Sequence, residues 1–186
     1  KYNELVLVDG ASNLYMSKDG NEFNKYFLES NQWRVQDTQG NTFYFGADAS
    51  ARQANPADPN KTYQWMLTKI ADPNGNTIEY AYIQDSNQLY LDTIRYVFTS
   101  PAESLFQIKL NYLAKSRSTT SYHPGFPVST YRLLERIDVQ ENVSSSWVTR
   151  KSYVFAYNNT INPISSLTSI THEAGGQTLP PMQFEY

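Results

Sequence analysis

The sequence predicts an all-β protein, built as a mostly antiparallel sheet of sequential hairpins. Tyr and Phe, which favour pleated strands, number 15 and 9 in 186 residues and bring the aromatic share to 15%. Apolar and polar residues alternate in many short segments, whereas no helical period near 3.6 is sustained over about 11 residues. Combinations of Asp, Asn, Gly and Pro, which favour turns, separate these segments.

Composition and charge narrow the class of protein. A hydrophobic share of 40% with 18% charged residues is typical of a folded globular chain. The net charge of −3 lacks the basic excess of nucleic-acid-binding proteins, so we expect no nucleic-acid partner. No apolar run reaches the roughly 18 residues of a membrane-spanning helix. Without cysteine, disulfides, thiolate catalysis and zinc-cysteine sites are excluded.

Both ends of the chain resemble strands, at residues 2–8 and 182–186. We therefore expect residues 1–186 to be a single all-β module and a fragment of a longer polypeptide. Within it, residues 1–46 predict leading hairpins and residues 62–186 predict repeat-like hairpins.

The first strands follow from short apolar segments between turns. Residues 5–8 predict a strand that ends at Asp9-Gly10, and residues 14–16 predict a second strand that ends in a turn at residues 18–21. Residues 26–28 predict a third strand.

The clearest hairpin spans residues 65–82. Asp72 suits the first position of a type I turn, and Pro73 presets the backbone of the second. Gly75 can take the left-handed conformation that follows, so we predict a hairpin with a bulge at Gly75, completed by Asn76. An oxygen-rich calcium loop is the alternative here, but the bidentate Glu of such loops is missing.

The same pattern occurs earlier in the chain. Asp37 is followed three residues later by Gly40 and then by an asparagine, with Trp33 upstream and an aromatic strand at residues 43–46 downstream. Two copies of Asp-x-x-Gly-Asn in this setting predict a repeated hairpin unit. Between the copies, two prolines at residues 56 and 59 predict a surface loop over residues 47–61, with a possible helical turn at residues 49–54.

The second half predicts longer strands. They are expected at residues 91–98, 105–113, 131–139, 147–157, 167–171 and 182–186, and about a dozen strands are expected in the whole chain. Alternation over residues 105–113 predicts an antiparallel strand with one wet face. Residues 115–127 predict a polar interruption.

These motifs resemble the region shared by Salmonella virulence plasmid B-type proteins and the B components of insecticidal toxin complexes. The motifs are Trp33-x-Val35-x-Asp37 with Phe45-Gly46, then Trp65, then Ile70-x-Asp72-x-x-Gly75-Asn76-x-Ile78-x-Tyr80-x-Tyr82. The chain is also similar to Rhs (tyrosine-aspartate repeat) proteins, although it contains no Tyr-Asp dipeptide. The resemblance covers residues 2–186 and implies an Rhs-like repeat array or shell segment that encloses or carries a toxic portion.

The resemblance implies a non-catalytic scaffold module of a bacterial exported toxin-like or surface protein, secreted or at the cell surface. Its partners would be neighbouring β modules of the same or a partner toxin-like polypeptide. We expect no catalytic residue, no cofactor and no metal, and we interpret Asp37, Gly40, Asp72, Pro73, Gly75 and Asn76 as structural turn residues.

The alternative interpretation is a carbohydrate- or receptor-binding β module, with a glycan or receptor as partner. The candidate binding loop contains Arg117, Tyr122 and His123. Outward-facing aromatic side chains that could stack on sugars are predicted at Tyr44 and Tyr90 and at Trp147. His123 has no orienting partner in the sequence, which argues against a catalytic base.

Overall fold

The computed structural model describes residues 4–20, 23–158 and 165–186, and these residues form antiparallel sheets. The prediction of an all-β fold is confirmed. The strands of the first half are β1 (Leu5–Asp9), β2 (Leu14–Ser17), β3 (Lys25–Glu29), β4 (Gln32–Gln36), β5 (Thr42–Phe45), β6 (Arg52–Asn55), β7 (Asp58–Trp65) and β8 (Leu67–Ala71). Those of the second half are β9 (Thr77–Asp85), β10 (Gln88–Ser100), β11 (Glu103–Ser121), β12 (Val128–Val143), β13 (Ser146–Asn158), β14 (Ser166–Ala174), β15 (Gln177–Thr178) and β16 (Met182–Gln183).

Fourteen of these strands form one sheet, in which spatial neighbours are nearly always chain neighbours. The order runs from β1 to β5, continues with β8 and proceeds in sequence to β15, while β16 pairs with β14. The remaining strands, β6 and β7, form a separate two-stranded sheet inserted between β5 and β8. The structure is therefore a succession of hairpins, as the alternating sequence predicts.

In several of the hairpins, a two-residue turn with positive φ connects the two strands. Ser30 and Asn31 have φ of 49° and 63° between β3 and β4, and Ser86 and Asn87 have φ of 52° and 65° between β9 and β10. Positive φ at both central residues is the geometry of a type I′ turn, and asparagine tolerates it well. The sequences Glu-Ser-Asn-Gln and Asp-Ser-Asn-Gln at these turns are a second repeat, which the sequence analysis missed.

The prediction of a surface loop at residues 47–61 is wrong. A 3₁₀ turn at Ala49–Ala51 is followed by the hairpin of β6 and β7. A two-stranded sheet leaves the outer edge of each strand unpaired, so Pro59 is tolerated in β7 although it lacks an N–H group. The possible helical turn is present only at residues 49–51.

Two other predicted boundaries differ from the structure. The strand expected from Trp65 to Ala71 divides at Met66, whose N–H donates to Ala51 O (2.8 Å) and whose carbonyl accepts from Gly46 N (2.7 Å). The polar interruption at residues 115–127 is shorter than predicted, because β11 continues to Ser121 and β12 begins at Val128. Residues 2 and 3 of the strand-like segment at residues 2–8, and residue 21 of the second turn, lie outside the described residues.

The sheet buries few side chains. Among the residues described, the buried hydrophobic side chains are those of Val35, Ala51, Leu89, Tyr90, Phe126 and Val128, and eight buried residues are polar or charged. The accessible surface is 11753 Å², whereas a compact protein of this mass exposes about 9,100 Å². A largely single-layered sheet accounts for both findings. No described segment forms a helix with the length and apolar character needed to cross a membrane.

Candidate functional site

One face of the sheet carries a continuous row of apolar side chains. Residues paired directly across antiparallel strands lie on the same face. Successive pairings define the row Leu7, Tyr15, Tyr26, Val35, Phe43, Ile70, Ile78, Tyr96, Phe106, Glu141 and Val148. Only Glu141 is charged. At the usual strand spacing the row is about 48 Å long, and we call it the apolar row.

The apolar row is incompletely covered. Leu7 is 54% exposed, Ile78 37% and Val148 36%. A second row on the same face, four residues farther along β11, pairs Leu110, Ile137, Tyr153 and His172, and Tyr153 is 39% exposed. A sheet face of this composition is normally packed against a second layer. This face is consequently a candidate interaction surface.

The opposite face carries a polar row. Its members are Arg34, Tyr44, Lys69, Glu79, Arg95, Gln107, Gln140 and Thr149. Gln107 donates to Gln140 (Nε2 to Oε1, 2.6 Å), and Gln140 donates to Thr149 (Nε2 to Oγ1, 3.0 Å). The wet face predicted for residues 105–113 is wrong at Gln107, which is buried, because this amide is satisfied by its neighbour on β12 rather than by water.

Asp138 is the centre of a buried polar network on this face. Its carboxylate accepts hydrogen bonds from Asn111 Nδ2 (2.8 Å), Arg136 Nε (2.6 Å) and Ser152 Oγ (2.6 Å). Burial raises the pKa of Asp138, but the hydrogen bonds from Ser152 and Arg136 and the charge of Arg136 outweigh it, so the net pKa lies below the ordinary value. The hydrogen bond to Asp138 likewise raises the pKa of Arg136.

The two Asp-x-x-Gly-Asn segments fold into the same turn. Asp37 Oδ1 accepts from Gln39 N and Asn41 N, both at 2.9 Å, and Asp72 Oδ1 accepts from Asn74 N (2.9 Å) and Asn76 N (2.8 Å). The hydrogen bond from the asparagine amide is the main cause of the lowered pKa of each aspartate. Both carboxylate oxygens of each aspartate therefore accept hydrogen bonds within its own turn.

The two turns also lie side by side. Gly40 and Gly75 have φ of 88° and 89°, and a Cβ on Gly40 would lie 3.0 Å from Cγ of Pro73. This contact arises because β5 pairs with β8, which brings equivalent hairpins together. Within the described ranges, no group of three or more His, Cys, Asp or Glu side chains is arranged to hold a metal ion.

The candidate binding loop lies between β11 and β12. Tyr122 is 70% exposed, and the His123 ring contacts Tyr63 of β7 edge to face, with ring centroids 6.0 Å apart. Arg117 lies farther along β11, in the bulge between the pairs Ala114–Arg132 and Thr119–Thr130. The structure therefore adds Tyr63 to the predicted residues Tyr122 and His123.

Hydrogen bonds and buried side chains hold this loop in place. Gly125 N donates to Tyr122 O (2.9 Å), and Asn87 Nδ2 donates to Pro127 O (2.8 Å). Phe126 within the loop and Val128 at the start of β12 are both buried. Tyr90, predicted to face outward, is instead buried, and its hydroxyl accepts from Tyr131 N (3.0 Å).

The inserted hairpin β6–β7 is attached to both Ser-Asn turns. Asn31 O accepts from Trp65 Nε1 (2.9 Å) and Arg52 NH1 (3.2 Å), and Asn87 O accepts from Gln53 Nε2 (2.7 Å). Gly46 is required at the base of the hairpin, because a Cβ there would lie 2.4 Å from Cδ1 of Trp65. We call the hairpin, the two turns and residues 122–128 the clasp.

The histidines contact aromatic rings. His123 lies against Tyr63, and the His172 ring lies 5.0 Å from that of Tyr153. Neither imidazole is hydrogen-bonded to a carboxylate within the part of the chain that the structure describes, and Nε2 of His172 is buried there without a partner. The carboxylate-oriented histidine of a general base is therefore not found among these residues.

A sequence profile of the family described as Salmonella virulence plasmid 65kDa B protein matches residues 20–114, just over half of the chain. No curated protein sequence matches the chain at a significant level. Among solved structures, the N-terminal domain of effector protein SpvB from Salmonella typhimurium strain LT2 is 20% identical with a TM-score of 0.76. That match covers 87% of this chain and 68% of the other.

Toxin complexes also contain this fold. The Photorhabdus luminescens Tc holotoxin pore is 16% identical with a TM-score of 0.81, covering 100% of this chain and 12% of the other. A crystal structure of TcdB2-TccC3 is 16% identical with a TM-score of 0.76, covering 100% of this chain and 13% of the other. The chain therefore spans a small part of the toxin chains that share its fold.

Proposed function

Because the chain belongs to the Salmonella virulence plasmid 65kDa B protein family, we propose that it is a non-catalytic wall segment of a larger bacterial toxin-like protein, exported or displayed at the cell surface. The observation that carries this proposal is the apolar row, which runs through eleven strands while Leu7, Ile78 and Val148 stay exposed. A single sheet layer cannot bury such a face by itself.

The partners that fit the apolar row are neighbouring β modules of the same or a partner toxin-like polypeptide. In the holotoxin pore the fold occupies 12% of a chain, so similar folds exist beside much additional polypeptide. Exposed contiguous apolar surface on this scale is typical of an interaction site.

One edge of the sheet is open to further strands, whereas the other edge is covered. β1 is an edge strand in which Val6, Leu7 and Val8 are exposed, so its free backbone groups and apolar side chains suit addition of another strand. At the other edge β14 is covered by the two-residue strands β15 and β16, with Pro180 and Pro181 between them. Proline blocks strand addition, so we infer that growth of the sheet takes place beside β1.

Single-cysteine labelling tests the proposal, because the chain has no cysteine of its own. Ile78→Cys places a thiol on the apolar row, and Glu79→Cys places one on the polar row of the opposite face. We expect maleimide to label both variants in the isolated chain, whereas in the full-length parent protein residue 78 is protected and residue 79 keeps more of its reactivity.

Peptide mapping by mass spectrometry assigns the label if the parent contains other cysteines. Equal labelling of residue 78 in the isolated chain and in the parent would contradict the proposal, since the apolar row would then stay uncovered in the complete protein.

A further inference from the structure

A groove of about 470 Å³ lies between the β6–β7 hairpin and the two Ser-Asn turns. Asn31 comes from one turn, Ser86 and Asn87 from the other, and Asn55 from the hairpin, while Gln84 completes the wall. The volume falls within the range of small-molecule sites. The repeated Ser-Asn turns thus form opposite parts of one concave surface.

The chemistry of the groove fits a neutral, hydroxyl-rich ligand. No carboxylate lines it, and its single cation, Arg52, already donates through NH1 to Asn31 O. Side-chain amides offer both donors and acceptors, which suits hydroxyl groups that also do both. An anionic ligand would call for several cations, which this lining lacks.

Two of the amides have hydrogen-bonding capacity to spare. Gln84 is exposed, and its side chain has no hydrogen bond to residues 4–20, 23–158 or 165–186. Asn55 uses Oδ1 to accept from Ala57 N (2.9 Å), which leaves its NH₂ group available. Both are therefore suited to bind a ligand without breaking a contact of the fold.

The walls are held in place before any ligand binds. The Ser30-Asn31 and Ser86-Asn87 turns have positive φ at all four residues, and the carbonyls of Asn31 and Asn87 are tied to the hairpin by Trp65 and Gln53. Binding at such a surface has little ordering cost.

Apolar rings complete the surface. Pro56 and Pro59 line the groove, and both are exposed. Rings beside amides provide flat apolar area next to directional polar groups, which matches the mixed C–H and hydroxyl surface of a sugar.

We propose that this groove binds a neutral carbohydrate, with Gln84 and Asn55 as hydrogen-bonding residues and Pro56 and Pro59 as apolar contacts. The site is at the end of the sheet and leaves the apolar row free. It therefore does not depend on the wall-segment function, and either proposal can fail without the other.

An oligosaccharide array carrying neutral and anionic glycans tests the proposal with the full chain, followed by isothermal titration with the neutral glycan that binds best. We expect saturable binding of a neutral glycan. Gln84→Ala and Asn55→Asp should each weaken it about tenfold, since each removes one hydrogen-bonding group, and Asn55→Asp keeps the oxygen that accepts from Ala57 N.

Gln39→Ala is the matched control, because Gln39 is an exposed glutamine in the Asp37 turn at the opposite end of the sheet; it should bind as the unsubstituted chain does. Melting temperatures establish that each variant is folded. The proposal is overturned if no neutral glycan binds, if only anionic glycans bind, or if folded Gln84→Ala and Asn55→Asp variants keep full affinity.

Discussion

Asp138 shows, at the scale of a single residue, how this sheet stabilises a buried carboxylate. Its side chain is only 12% exposed, and three donors surround it. A buried carboxylate is favourable only when hydrogen bonds and an opposite charge replace its lost hydration. Alternation predicts a polar face at this position, but not that the face is buried, because burial depends on which side chains from β11 and β13 lie beside it.

We expect Asp138→Asn to lower the free energy of unfolding by about 2–3 kcal/mol at pH 7. Because the folded-state pKa is depressed, the stabilisation is fully present above the unfolded-state pKa of about 3.9. It is lost as the pH falls through the folded-state value. The difference between the two proteins should consequently shrink on acidification.

Urea denaturation from pH 7 down to pH 2.5 measures this difference. Glu4→Gln is the control, because the exposed Glu4–Lys18 pair should contribute less than about 1 kcal/mol. An equal deficit of Asp138→Asn at both ends of the pH range would contradict the assignment.

At the scale of the element, the repeated Asp-x-x-Gly-Asn hairpins differ in one contact. Gly40 and Gly75 share a positive φ, but only Gly40 lies against a neighbouring side chain, that of Pro73. Gly75→Ala should cost about 1–2 kcal/mol for the left-handed backbone alone. Gly40→Ala should cost more, because the added methyl group also displaces Pro73. Thermal unfolding of both variants measures the difference.

His123→Ala is the comparison for these turn variants, because the imidazole is exposed and its removal should cost less than about 0.5 kcal/mol. If all three variants had the same melting temperature, the turns would not have the structural role that we assign to them.

The elements that could be predicted from the sequence are those encoded by residues that are close together in the chain. The Asp72 turn and the alternation of β9 through β11 are encoded by neighbouring residues, so they could be predicted. The β6–β7 hairpin could not, because its strands are fixed by distant partners: Trp65 and Arg52 bind Asn31 O, and Gln53 binds Asn87 O. The groove at the clasp was missed for the same reason, although the repeated Ser-Asn-Gln sequence was available as a signal.

At the scale of the whole molecule, tight burial and the candidate interaction surface are in different places. Six hydrophobic side chains are buried among residues 4–20, 23–158 and 165–186, and five of them lie in the clasp or next to it: Phe126 and Val128 in the clasp, Leu89 and Tyr90 at the start of β10, and Ala51 in the 3₁₀ turn before β6. The apolar row contributes only Val35 to this set. The clasp and the residues next to it therefore form the main packed core of the isolated chain, while the apolar row is left for contacts with other polypeptide.

This division predicts unequal effects of truncating apolar side chains. Phe126→Ala should lower the free energy of unfolding by about 3–5 kcal/mol, because Phe126 is 6% exposed and its loss leaves a cavity. Ile78→Ala should cost only about 1–2 kcal/mol in the isolated chain, because Ile78 is 37% exposed, so its truncation removes less buried apolar area and leaves no enclosed cavity. Urea denaturation of the isolated chain gives both values, and Ile78→Ala should also reduce binding of the dye ANS.

In the full-length parent, where a neighbouring module would cover the apolar row, the free-energy cost of Ile78→Ala should rise towards that of a core substitution. A cost at residue 78 as large as that at residue 126 in the isolated chain would place the core on the apolar row and contradict this division.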